Sequence, residues 1–130
     1  MDIEDVEKIE KIIADRKAVH SFLSKHSEVY RVFLDLEEKT YSDGSLEAKY
    51  KELIAIGIAI IINCESCLEW HIRKALNHGM SKKQVLEAIE VAIEMGGGPA
   101  TVSSRFAITV LDYFTENSQK SFPLSSSLVI

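Results

Sequence analysis

Three side chains within nine residues could do chemistry together. The stretch "NCESCLEWH", residues 63 to 71, holds Cys64, Cys67 and His71. The two cysteines are the only ones in the chain. On a helix each residue advances by about 100°. Cys67 follows Cys64 by three positions and His71 follows by seven, so all three share one face. Cysteines three apart in a helical turn are close enough to form a disulfide. Free N–H groups and the dipole at a helix start favour thiolate over thiol. An imidazole one turn further on can take or return the thiol proton. Such a dithiol could reduce a peroxide or a disulfide and close to Cys64–Cys67. The same residues offer three zinc ligands, with Glu52 as a fourth, but structural zinc generally takes a second separated ligand pair and the chain has no further cysteine. Two inert buried cysteines are the plain alternative. The spacing favours the redox reading, with no cofactor and no metal.

The elements that carry this face read as helices. Proline is scarce, with Pro99 and Pro123 alone, and no stretch alternates like a strand. Ile3, Val6, Ile9 and Ile13, then Phe22 and Leu23, step by threes and fours along a first amphipathic helix. Val29, Val32, Phe33 and Leu36 form one face of a second. "TYSDGS" supplies the turn, with Asp43-Gly44 as breaker. From Leu46 the chain enters a helix whose last ten residues, Leu53 to Ile62, are apolar nearly all round. A helix with no polar face must be covered on all sides, at a bundle centre or a subunit interface. Asn63 is the expected N-cap of the cysteine helix, with Glu65 in its first turn, His78 at its end and Gly79 as the stop. Leu68 and Ala75 share the cysteine face, which is inward. Glu69, Arg73 and Asn77 should point the other way. Ser81 to Gln84 has capping-box spacing for a helix through Met95. "GGGPA" turns the backbone, since it lacks the Lys and Ser/Thr of a phosphate loop, and Pro99 opens a last helix with Val102, Phe106, Val110, Tyr113 and Phe114 as its stripe. Taken singly, Glu52 reads as a solvated or capping charge, Trp70 as packing, and His20 and His26 as surface residues.

Bulk composition bounds the rest. The 130 residues are 46% hydrophobic and 27% charged, enough for one domain with a core and no need of disulfides. The expected organisation is one all-α domain over residues 1–117, with its motif core at 51–100, and a serine-rich tail over 118–130. A net charge of −5 without a basic cluster argues against nucleic acid and against an anionic membrane surface. The opening "MDIEDVEKIEK" has neither the basic nor the apolar region of a secretory signal, and the apolar run is far short of the ~20 residues of a membrane span. The expected compartment is the cytoplasm, where C-x-x-C signals redox or metal chemistry.

With those residues in view, Lys51 to Ala100 resembles the alkylhydroperoxidase D-like group of the carboxymuconolactone decarboxylase family. The shared pattern is a Glu, eleven residues, then C-x-x-C-x-x-x-H, here Glu52, Cys64, Cys67 and His71. A Gly after the cysteine helix, a capped next helix and the Gly-Gly-Gly-Pro-Ala junction also match. The resemblance implies an all-α bundle of about six helices, assembled as a homo-oligomer (trimer or hexamer), and thiol-dependent peroxide reduction. It makes Cys67 the peroxidatic thiol, Cys64 the resolving thiol, His71 the proton relay and Glu52 the group that orients it. In the best-known branch a His precedes the second Cys; here that residue is Ser66. That branch draws electrons through a lipoylated protein; a thiol donor here would be lipoylated or thioredoxin-like. The expected function is reduction of hydroperoxides or protein disulfides. Two other classes compete: decarboxylation of a γ-lactone, which needs no dithiol, and a non-enzymatic, metal-stabilised assembly module.

Overall fold

The computed structural model describes residues 1–116, all of whose regular elements are helical. The tail and its boundary with the domain lie outside the described residues. Six helices follow in chain order: α1 Ile3–His26, α2 Glu28–Thr40, α3 Ala48–Ile61, α4 Glu65–Asn77, α5 Lys82–Gly96 and α6 Gly98–Glu116. The all-α class and the helix number agree with the sequence reading. Helices α3 to α6 pack mutually around one core that includes Ile56, Ile60, Leu68, Ile72, Ile89 and Leu111, and α1 adds Ile9 to it. Among the described residues no helix is long and apolar enough to cross a membrane.

The helix ends follow local chemistry. Asp2 caps α1, Ser27 caps α2, and Ser81 with Gln84 forms the expected capping box of α5. In the glycine junction, Gly97 has φ 67°, a conformation that suits glycine. A Cβ on Gly96 would come 2.7 Å from that of Ala100, so the α5–α6 corner is tight. Pro99 is the second residue of α6 rather than its first.

Two apolar faces are left uncovered by this chain. The isoleucine-rich α3 buries Glu52, Ile56, Ala59 and Ile60, yet Ile54, Ile58, Ile61 and Ile62 are exposed. The single chain thus covers one side of α3 and leaves the other bare. The apolar stripe of α2 is likewise exposed, and α2 contains no fully buried residue. Periodicity located both apolar faces correctly but said nothing of whether this chain alone supplies their cover.

Candidate redox site

The site begins at the turn between α3 and α4. Asn63 does not cap α4. It takes φ 54°, a left-handed conformation that asparagine tolerates better than most residues. The Asn63 N–H reaches the Ile60 carbonyl at 3.1 Å, and the Cys64 N–H reaches that of Ala59 at 2.9 Å. Those two bonds form a Schellman motif closing α3. The cap of α4 is then Cys64 itself, whose Sγ accepts the Cys67 N–H at 3.2 Å. Asparagine was the better cap by type, but the left-handed stop of α3 needed it first. Both sulfurs therefore sit in the first turn of α4, where unsatisfied N–H groups concentrate positive potential. They are joined as a Cys64–Cys67 disulfide with Cα atoms 5.2 Å apart.

His71 lies one turn beyond Cys67. Its Nδ1 is 2.6 Å from Oε1 of Glu52, which crosses from α3. Glu52 is 1% exposed, so it is a buried partner of the imidazole and not a solvated charge. A carboxylate on Nδ1 fixes the ring's orientation and leaves Nε2 for proton transfer. Tyr41, just past α2, lays its ring 5.2 Å from that of His71, centroid to centroid. The structure thus gathers Glu52, Cys64, Cys67 and His71 on the α3–α4 hairpin.

A cavity of about 330 Å³ opens beside this group. Cys67 and His71 line it, while Phe33, Leu36 and Trp70 form apolar walls. Its polar groups include Glu37 and Tyr41 from the end of α2, and Arg16 from α1. Burial, then the charges of Glu52 and Glu37, pushes the Tyr41 phenol up, so it stays protonated as a hydrogen-bond donor. Oε1 of Glu37 is buried and has no hydrogen-bond partner. Sequence reasoning passed over Glu37, yet it lies in register with Val29 and Phe33, a charge in phase with an apolar stripe.

Glu69 and Arg73 correct the outward placement expected of them. Glu69 is 0% and Arg73 5% exposed. Glu69 accepts from Arg73 Nε at 2.9 Å and also bonds Arg16 of α1. Arg16 further donates to the Ser66 carbonyl at 2.8 Å and to its hydroxyl at 2.9 Å. Both guanidinium groups lie over Trp70, at 5.4 and 5.2 Å from the ring centroid. Trp70 packs as expected, but as the platform of an ion cluster. His20 is half-buried, with Nδ1 2.8 Å from the Tyr30 hydroxyl, whereas His26 is exposed as expected.

Comparison with known proteins decides the family. Residues 27–109 match the carboxymuconolactone decarboxylase family. The chain belongs to that family. It is 39% identical over 80 residues to uncharacterized protein 4 in the cox locus of Paracoccus denitrificans, covering 62% of this chain and 72% of that one. It is 40% identical over 70 residues to an uncharacterized protein of Cupriavidus necator, covering 54% and 62%. The crystal structure of apo-lpg0406, a carboxymuconolactone decarboxylase family protein from Legionella pneumophila, superposes with a TM-score of 0.73 at 30% identity, covering 86% of this chain and 98% of that one. TM1620 from Thermotoga maritima, a family member for which a part in an antioxidative response has been suggested, shares the fold with a TM-score of 0.75 at 23% identity over 86% and 99%.

Proposed function

We propose that this family member is a dithiol oxidoreductase of the alkylhydroperoxidase D-like kind, reducing organic hydroperoxides through Cys67 and Cys64. The observation that carries the reading is the cysteine pair in the first turn of α4 beside an imidazole held by a buried carboxylate. Cys67 is the cysteine that lines the cavity, which supports its assignment as the attacking thiol. In the reduced protein His71, oriented by Glu52, takes the Cys67 proton. The thiolate attacks the terminal oxygen of the hydroperoxide, the O–O bond breaks, and Cys67 becomes a sulfenic acid as an alcohol leaves. The Cys64 thiol attacks that sulfur and water departs, leaving the Cys64–Cys67 disulfide. A dithiol donor of the lipoylated or thioredoxin-like class returns two electrons. That need for re-reduction fits the cytoplasm.

The lactone reading is weaker at this site. A carboxylate substrate calls for a free cation. Arg16, the one cation among the cavity's described lining residues, is already engaged by Glu69 and Ser66. Glu37 adds a carboxyl instead. The exposed faces of α3 and α5 support a homo-oligomer. Ile54, Ile58, Ile61, Val91 and Met95 line an apolar groove of about 710 Å³ that a second copy would cover. Size-exclusion chromatography yielding only monomer would remove that part of the proposal.

The test of the activity is intact mass. Reduced protein treated with one equivalent of an organic hydroperoxide should lose the mass of two hydrogens, and a dithiol should restore it. Cys67→Ser should abolish peroxide consumption. Both thiols remaining open to alkylation after treatment would refute the peroxide role. Lactone turnover that survives alkylation would replace it with the decarboxylase chemistry, and bound zinc lost together with folding on chelation would favour the metal-stabilised module.

A further inference from the structure

One carboxyl in the cavity is used neither by the thiol pair nor by the His71–Glu52 couple. Glu37 reaches the cavity from the last turn of α2 and shares it with Cys67 and His71. Its Oε1 is buried without a donor. An ionised oxygen in that position lacks compensation, whereas a neutral carboxyl tolerates it far better. Arg16 from α1, Tyr41 from the end of its own helix, and Cys67 and His71 from α4 share the cavity with it, and the Tyr30 phenol on its own helix and the Glu52 carboxylate on α3 lie within its electrostatic reach. Burial has the largest influence and raises its pKa, His71 lowers it, Glu52 raises it and Arg16 lowers it, leaving it at about 7.

Resting on the peroxide reading, we propose that Glu37 is the general acid that protonates the departing oxygen when Cys67 attacks a hydroperoxide. The two carboxyls of the site then have opposite duties. Glu52 acts behind His71, which removes the thiol proton. Glu37 delivers a proton on the substrate side. The balance is complete: thiolate, hydroperoxide and the Glu37 proton give sulfenic acid, alcohol and the Glu37 carboxylate, which water reprotonates. An alkoxide is a strongly basic leaving group, so its departure needs that proton. The apolar walls of Phe33, Leu36 and Trp70 would receive the alkyl part, so the favoured substrates are uncharged organic hydroperoxides.

The experiment compares two oxidants on the reduced full-length protein: cumene hydroperoxide, and an aryl disulfide whose leaving thiolate is stable without a proton. Glu37→Gln should slow the hydroperoxide reaction by roughly 100-fold or more, within the usual range for a general acid, while the aryl-disulfide reaction stays within a few fold. Glu37→Asp should recover part of the loss. In the unmodified protein the hydroperoxide-to-disulfide rate ratio should fall as pH rises through about 7. This profile needs no variant, so it stands even if Glu37→Gln folds poorly. Equal slowing of both oxidants would overturn the acid role in favour of positioning Cys67. An unchanged hydroperoxide rate in Glu37→Gln would overturn the role outright. If the unmodified protein reacts with the disulfide and not with the hydroperoxide, the peroxide reading itself fails, and this inference with it.

Discussion

Removing Glu69 should destabilise the protein more than removing either guanidinium it holds. The cluster has one carboxylate between two cations: Arg16, with an 8% exposed side chain, and Arg73, at 5%. Glu69→Ala takes from both cations the carboxylate they share in a buried setting. Breaking one buried pair in that way typically costs about 3–5 kcal/mol, and Arg16 can relieve part of the strain by turning to water, so the expected loss is on the order of 4 kcal/mol. Arg16→Ala leaves Glu69 and Arg73 still matched in charge. It forfeits the hydrogen bonds to exposed Ser66 and the contact with Trp70, an expected loss of about 2 kcal/mol. In the double variant Arg73 is the one cation of the cluster that has lost Glu69, so it should cost no more than Glu69→Ala by itself. Urea unfolding of the oxidised protein reads these numbers. With a slope of about 2 kcal/mol/M, Glu69→Ala should lower the midpoint by about 2 M and Arg16→Ala by about 1 M. Equal losses in the two single variants, or strictly additive losses in the double, would show that the three charges do not act as one unit.

Glu37 should leave a mark on stability as well as on rate. Its folded pKa lies near 7, above the ordinary 4.5, so between those values the folded state holds more protons than the unfolded state. Stability should therefore fall as pH rises from about 4.5 to 7, and level off above. Subtracting the Glu37→Gln urea profile from that of the unmodified protein should isolate this slope; a flat difference would contradict it. Helix α2 has no fully buried residue, so its amides should exchange with deuterium well before those of α4. Equal protection in the two helices would mean that another surface covers α2.

The cysteine site was legible because its members are close in sequence or separated by a fixed motif spacing. Cys64, Cys67 and His71 follow from helical phase, and Glu52 came with the family pattern. What escaped were partners brought in by tertiary packing. Two helix ends compete for Asn63, and cap preference by residue type does not show which end wins. Glu69 and Arg73 lie nearly opposite the cysteine face in helical phase, which points them outward, although Glu69 is in phase with Ile72 and Leu76. Arg16 likewise follows Ile9 and Ile13 at helical spacing. A charge in register with an apolar stripe was the available signal in each case, Glu37 included. Periodicity alone cannot tell a boundary charge from a buried one, because the compensating group lies on another helix.

That distribution has a consequence for how the site is built. The sulfurs, the imidazole and its carboxylate all come from the α3–α4 hairpin, whose geometry is set by one left-handed turn at Asn63. The opposing wall comes from α1 and α2, through Arg16, Phe33, Leu36 and Glu37. Besides the apolar packing of Ile9, Val6 and Ile13 on the core, the two halves are tied by polar links from Arg16 to Glu69 and Ser66 and by the Lys8–Glu65 ion pair at 2.8 Å. Lys8 and Glu65 are both well exposed, so their pair contributes little. Arg16 is therefore the stronger polar link between the wall and the first turn of the cysteine helix. It grips Ser66, one of the two residues between the cysteines in sequence, and so ties the wall to the turn that holds the Cys64–Cys67 disulfide.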